Sequence, residues 1–266
     1  MPPHSVSPSA ILAGFGLLVM SAITTAAAES GSTAPDPATA TEDLRQTCRD
    51  GSAEQKLTVA TIYVPAIVTG HDRALAACTK LIESGGLSGP DLAAVLLDRG
   101  DLYGPAPKEY ARALADFDRA IALAPTMASA YWRRGKTHLL YTRDLPRALH
   151  DLDDAIRLDP SRAEFFATRA SIRGWLGDPD NALADLDRAI AIDPKSDKAL
   201  SLRGMAYMNR NNPARALVDF DDAIRLAPDD AGLYALRATA RRQVGDEAGA
   251  NADQARMQEL MFATKP

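Results

Sequence analysis

With 266 residues the chain is long enough for one or two ordinary domains or one medium repeat array. Apolar residues at 46% and charged residues at 24% describe a soluble globular protein, and a net charge of −5 with Arg and Lys spread along the chain argues against nucleic acid as the main partner. Two cysteines are too few for a disulfide-dense scaffold and the right number for one clip in an oxidising compartment. Scarce aromatics beside abundant alanine favour close helix-on-helix packing over a large aromatic core.

Residues 10–23 read AILAGFGLLVMSAI, a short uncharged apolar run. Ala26 and Ala28 then fit the small-residue cleavage pattern, which predicts a signal peptide over 1–28 with cleavage before Glu29. The stretch Met1 to Ser9 lacks Lys and Arg, so an uncleaved membrane anchor through 11–28 is the alternative. That run is only just long enough to span and is diluted by Gly, Ser and Thr. Cleavage removes no Asp, Glu, Lys or Arg and leaves the net charge at −5. Small, polar and Pro-containing residues make 29–41 a predicted flexible linker.

Thr41 as a cap, Glu42 and Asp43 in the first turn and Leu44 behind them predict a short helix through Cys48. Residues 57–70 are β-branched and interrupted by Pro65, and read as an irregular turn or as a helix beginning near Pro65. From Asp72 to Ile82 a helical register returns, with Cys78 on its buried face. Segment 42–89 is therefore an N-terminal helical segment resembling a first, incomplete unit. In an exported protein Cys48 and Cys78 pair as a disulfide, closing a loop worth about 3–4 kcal/mol in the loop-entropy model. Two buried thiols are the alternative. A metal site with His71 as third ligand finds no further residue at ligand spacing, and no metal or cofactor is expected.

Beyond residue 90 one pattern repeats. The segments ending at Pro125, Pro160, Pro194 and Pro228 are spaced 35, 34 and 34 residues apart, the mark of stacked supersecondary units. Ala182, Leu183, Leu186, Ala189 and Ile190 recur at i, i+1, i+4, i+7 and i+8, one apolar stripe of a helix. Glu164 to Leu176 carries a second helical pattern, and Gly177-Asp178-Pro179 breaks the two, with Asp178 as cap and Pro179 in the first turn. Antiparallel helix pairs are predicted at 91–103 and 107–123, 127–141 and 144–158, 161–176 and 178–192, 195–210 and 212–226, and 229–244 and 246–261. The small residues Gly100, Gly135, Ala170, Gly204 and Ala238 fall mid-helix, where glycine costs about 1 kcal/mol against alanine, so close packing is the expected compensation. Gln254 replaces a large apolar residue in the last helix, as suits a terminal cap.

The fullest copy reads Leu200, Gly204, Tyr207, Ala216, Phe220, Pro228. Others show Gly100, Tyr103, Ala113, Phe117, Pro125, or Tyr131, Gly135, Ala148, Leu152, Pro160. This pattern resembles the tetratricopeptide repeat family over about 90–262, with repeats near 90–125, 126–160, 161–194, 195–228 and 229–262. The first two copies carry one extra residue in the intra-repeat turn, near Gly104-Pro105 and Tyr141-Thr142. The resemblance implies an all-α fold, a right-handed superhelical α-solenoid of antiparallel helix pairs with about five repeats plus an N-terminal partial unit. It also implies that the first helix of each pair lines a concave groove. Trp132, Lys136, Leu139, Trp175, Ser201, Met205, Met208 and Arg242 are then the candidate partner-binding residues. Trp is a common anchor at interfaces and Met an adaptable one, while packing against the next repeat is the competing role for each Trp.

An arginine precedes each small residue, at Arg99, Arg134, Arg169, Arg203 and Arg237, where the family more often has an apolar residue. The second helices carry Asp116, Asp151, Asp185, Asp219 and Asp253 in register. Fork-to-carboxylate pairing of the two rows is expected; solvated faces and binding of an acidic C-terminus by the arginines are the alternatives. Catalytic motifs are absent from the sequence, with no G-x-S-x-G, H-E-x-x-H, C-x-x-C or P-loop, and His138 reads as a core residue. The expected function is an exported scaffold of the bacterial periplasm that binds a protein or peptide, with no catalytic residues and no stable membrane insertion after cleavage. An enzyme or enzyme subunit with its site in 49–70, and a self-assembling structural protein, are the alternatives.

Overall fold

The structure, a computed structural model, describes residues 37–54, 65–103 and 109–262. The expected signal peptide or anchor, residues 29–36 of the expected linker, residues 55–64 of the opaque segment and the turn near Gly104-Pro105 lie outside the described residues. The chain divides into two compact units, Met1–Asp43 and Leu44–Pro266, and the second holds the repeats.

Twelve helices and no strand occur among the described residues: α1 (Pro37–Glu54), α2 (Pro65–Glu83), α3 (Gly89–Tyr103), α4 (Tyr110–Leu123), α5 (Ala128–Thr137), α6 (Leu145–Leu158), α7 (Ala163–Trp175), α8 (Pro179–Ile192), α9 (Asp197–Asn209), α10 (Pro213–Leu226), α11 (Ala231–Gln243) and α12 (Glu247–Phe262). Helix α1 starts at Pro37, inside the segment expected to be linker. Proline there supplies a helical φ and forfeits no intrahelical bond. Pro65 likewise opens α2, which resolves that reading in favour of a helix.

Turn chemistry explains the sharp entry of the second helices. Asp144, Asp178 and Asn212 accept hydrogen bonds from the backbone N–H three residues on, and Pro146, Pro179 and Pro213 follow in the first turn. The residue before each cap has a left-handed backbone: Gly177, Asn211 and Gly245 at φ 76°, 54° and 80°, and Arg143 at 56°. Glycine and asparagine tolerate that region; an arginine is strained in it.

Each first helix packs on its own second helix, and each second helix on the next first helix. The mid-helix glycines are explained by contact. A Cβ on Gly100 would lie 2.3 Å from the Phe117 ring, on Gly135 2.5 Å from Leu152, and on Gly204 2.5 Å from Phe220. Ala170 clusters with Leu186 at the same register. In the N-terminal partial unit Cys48 and Cys78 form a disulfide, buried with Leu81, Val95 and Leu102.

The two charged rows meet. Arg134 donates from Nε and Nη2 to the two oxygens of Asp151 at 3.0 and 2.6 Å. The same fork joins Arg99 to Asp116, Arg169 to Asp185, Arg203 to Asp219 and Arg237 to Asp253, at 2.6–3.0 Å. All five carboxylates are buried. Each guanidinium from the second repeat on also directs its remaining nitrogen to the preceding repeat. Arg134 Nη1 donates to Asp118, Arg169 to Asp153, Arg203 to Asp187 and Arg237 to Asp221, at 2.6–2.8 Å. These bonds hold the guanidinium protons more tightly than usual despite partial burial. Aromatic rings lie beside four of the five arginines, those of Tyr103, Tyr131, Phe166 and Tyr234, with centroids 5.6–5.9 Å away. The expected pairing is therefore present within and between repeats.

Two measurements test this frame. Gly204→Ala forces its methyl into the Phe220 ring and should destabilise the fold by about 1–3 kcal/mol in chemical denaturation, although alanine is the better helix former. Asp219→Ala strands Arg203 and should cost about 2–4 kcal/mol, whereas Asp187→Ala, at the exposed end of the same guanidinium, should cost no more than about 1 kcal/mol.

Candidate functional site

The second repeat departs from its neighbours. Its extra residue is absorbed in a π-helical turn, His138–Thr142, which continues α5. Such insertions re-aim the residues around them. Here the turn buries His138 and Leu139, exposes Leu140, and ends on the strained Arg143. His138 Nδ1 lies 3.2 Å from Thr142 Oγ1, whose hydroxyl also donates to the His138 carbonyl. Tyr103, Arg173, Tyr207 and Arg241 stand at the same register in the other repeats. Arg173 and Arg241 use the position to add a second guanidinium to the buried aspartates Asp185 and Asp253, at 2.8 and 2.9 Å. His138 instead stays neutral more readily than an ordinary histidine, because burial outweighs the pull of Asp151 and Asp144.

A cavity of about 380 Å³ opens along α5 and α7. Trp132, Leu139, Leu140, Ala167 and Trp175 supply its apolar lining. Lys136, Arg143, Glu164, Asp193 and Lys198 are its charged residues. The Trp132 ring packs against Phe165 of the next repeat at 5.8 Å, and its Nε1 donates to Thr168 at 3.0 Å. Lys136 Nζ lies 5.4 Å from the Trp132 ring centroid. Trp175 is held differently: it is 65% exposed, and the Arg143 guanidinium lies 4.6 Å from its ring centroid. A second cavity of about 350 Å³ adjoins the first, sharing Ser171 and Trp175, with Met205 on its far side.

Of the eight predicted binding residues, Trp132, Lys136, Leu139 and Trp175 share the first cavity, and Met205 joins Trp175 in the second. Ser201, Met208 and Arg242 line neither cavity. The Ser201 hydroxyl donates to the Lys198 carbonyl at 3.0 Å. Met208 packs into the cluster of Ala216, Phe220 and Ala240. Arg242 donates to Gln254 of its own repeat. The arginine row is equally committed: its guanidinium groups are occupied by the aspartates, so it is a structural ladder rather than a ligand clamp. Sequence reading missed Leu140, Arg143 and Gly174. Gly174 occupies the register of Leu139, Met208 and Arg242, and a Cβ there would meet nothing within 4 Å, so this glycine has no packing explanation of the kind that covers Gly100 or Gly204. Among the described residues no group of three or more His, Cys, Asp or Glu is placed to hold a metal ion, and no helix is long and apolar enough to cross a membrane.

Stacked helix pairs define a helical-repeat interaction scaffold. Residues 137–197 and 168–231 match the family model for the tetratricopeptide repeat. Residues 137–231 thus carry tetratricopeptide repeats, and the described helices form an all-α solenoid like those of known tetratricopeptide repeat proteins. No curated protein matches it in sequence. Among solved structures it is similar to TTC0263, a thermophilic tetratricopeptide repeat protein of Thermus thermophilus, at 21% identity and a TM-score of 0.60, covering 74% of this chain and 98% of that one. A tetratricopeptide repeat protein from Parabacteroides merdae gives 18% identity and a TM-score of 0.58, over 83% and 81% of the two chains. YrrB, described as having an unusual peptide-binding site, gives 22% and 0.51, over 70% of this chain and 93% of that one. At these identities the likeness is one of fold. Proteins of this family act as scaffolds for protein or peptide partners and are generally not enzymes.

The buried imidazole makes stability pH-dependent in a defined direction. With its protonation disfavoured in the fold, His138 contributes stability above the ordinary histidine range that is lost as pH falls through its lowered value. Thermal unfolding should therefore move to lower temperature between about pH 7 and about pH 5. His138→Tyr, which installs the residue found at Tyr103 and Tyr207, should flatten that part of the profile.

Proposed function

We propose that the protein is an exported adaptor that holds a segment of a partner protein in the groove of its second to fourth repeats. The observation that carries this reading is the adjoining pair of cavities around Trp175. An indole left 65% exposed beside exposed Leu140 and Met205 is an apolar surface that a soluble chain has reason to cover. Trp132, by contrast, is pinned by Phe165 and Thr168 and forms a rigid wall. A rigid wall, an exposed indole and an adaptable methionine suit an extended segment better than a small molecule.

Export is supported by two independent features. The apolar run at 10–23 with Ala26 and Ala28 behind it suits a cleaved signal. The buried Cys48–Cys78 disulfide suits an oxidising compartment, and a bacterial periplasm fits both.

A photo-crosslinking residue at Leu140, in protein expressed in its native host, tests both parts. Crosslinked partner peptides should be recovered from the envelope fraction, and Trp132→Ala or Trp175→Ala should reduce the yield severalfold without lowering stability by more than about 1–2 kcal/mol. Crosslinks confined to cytosolic material would remove export, and a yield indifferent to both tryptophans would remove the groove.

A further inference from the structure

We infer that the cavity between α5 and α7 selects an extended acidic peptide segment, lodging a bulky apolar side chain between Trp132 and Trp175 and placing a carboxylate on Arg143. This rests on the groove reading above and narrows it to one ligand chemistry.

The charges of the cavity are unequally committed. Glu164 already accepts from Arg162, at 3.3 Å, and Asp193 accepts the Lys195 backbone N–H at 3.0 Å while capping α8. Arg143 and Lys198 make no ion pair among the described residues. The Arg143 guanidinium rests on the Trp175 indole, 4.6 Å from its ring centroid. The two carboxylates also sit toward one end. Glu164 lies in the first turn of α7 and Trp175 at its last residue, which separates them by roughly 16 Å along the helix. The Trp175 end is lined by Leu140 and Arg143 and is both apolar and cationic.

Backbone geometry points to the same residue. The position of Arg143 is filled by Gly177, Asn211 and Gly245 in the following repeats, residues that tolerate a left-handed φ. Arginine adopts it at a cost, and such strain gathers where function holds it. The result is a guanidinium poised over the exposed face of Trp175. A peptide carboxylate there replaces water with a charge-assisted bond, and the neighbouring apolar side chain covers both indoles. Gly174, with nothing near its missing side chain, keeps the space beside Trp175 open on the side of the second cavity.

A displayed random peptide library selected on the purified protein tests the inference, with each selected peptide then synthesised with amidated ends. Peptides pairing a large apolar residue with aspartate or glutamate should be enriched. Trp175→Ala should weaken them about tenfold or more. Arg143→Gly should weaken them about three- to tenfold while leaving the melting temperature equal or higher, because glycine relieves the strained turn. Raising salt from about 0.05 M to about 0.5 M should weaken the acidic peptides selectively. Selected peptides that need Trp175 but are neutral or basic, or that ignore Arg143→Gly, would overturn the acidic preference and leave the groove standing. A selection yielding no peptide that depends on either tryptophan would overturn both.

Discussion

A buried carboxylate held on both oxygens by one guanidinium is the interaction on which the array depends. In the second to fifth repeats the arginine of the first helix closes a two-bond fork on the aspartate of its own second helix and sends its third nitrogen to the repeat before. One side chain thereby sets the pairing of helices within a unit and the stacking of that unit on its predecessor. Removing a carboxylate from water carries a large desolvation cost, and replacing an ion pair by apolar residues is often neutral for stability. The gain here lies in geometry. A planar fork accepts one orientation of its partner, whereas apolar faces alone tolerate sliding. The adjacent rings and the glycine-to-phenylalanine contacts complete the same joint, since a close helix approach is what brings the fork within reach.

Against this regular frame the two cavities around Trp175 owe their character to local departures. An extra residue becomes a π turn; a strained arginine follows it; Gly174 falls where the second, fourth and fifth repeats place leucine, methionine and arginine. Together these alter the joint between the second and third repeats without disturbing the ladder, whose Arg169 bonds are the same length there as elsewhere. The division of labour is physical. Second helices carry caps, apolar stripe and aspartates, and have little freedom to vary. The exposed faces of first helices carry none of these duties and can be shaped for a partner.

Most of the frame was legible in the sequence because each part has a local signal. Apolar period, Asp-Pro and Asn-Pro caps and recurring prolines place the helices within a few residues of their observed ends. The Arg and Asp rows were legible as rows because the repeat aligns them. The second set of partners, Asp118, Asp153, Asp187 and Asp221, was not. Each lies two residues beyond a buried aspartate and so on a different side of its helix, and only the stacking of the next repeat brings an arginine to it. Met208 and Arg242 lie away from both cavities for a related reason. Their register is shared with Leu139, but the surroundings differ, and Met208 turns into a core cluster while Arg242 finds Gln254. The π turn has no signal beyond one surplus residue, which a loop would have absorbed equally well.

The ladder also has a direction, and direction gives the array a length. Every joint is made by an arginine reaching back to a carboxylate two residues after the buried aspartate. In α12 that position is Ala255, which offers no acceptor. A further unit, or the leading end of a second molecule, arriving there in the same register would bring a guanidinium and find no acid to receive it. At the other end Arg99 meets Thr79 in place of an aspartate, at 3.4 Å, with Glu83 contributing only at longer range. The arginine-to-carboxylate joint therefore has no acceptor of its own kind at α12, and the ladder reads in one direction only.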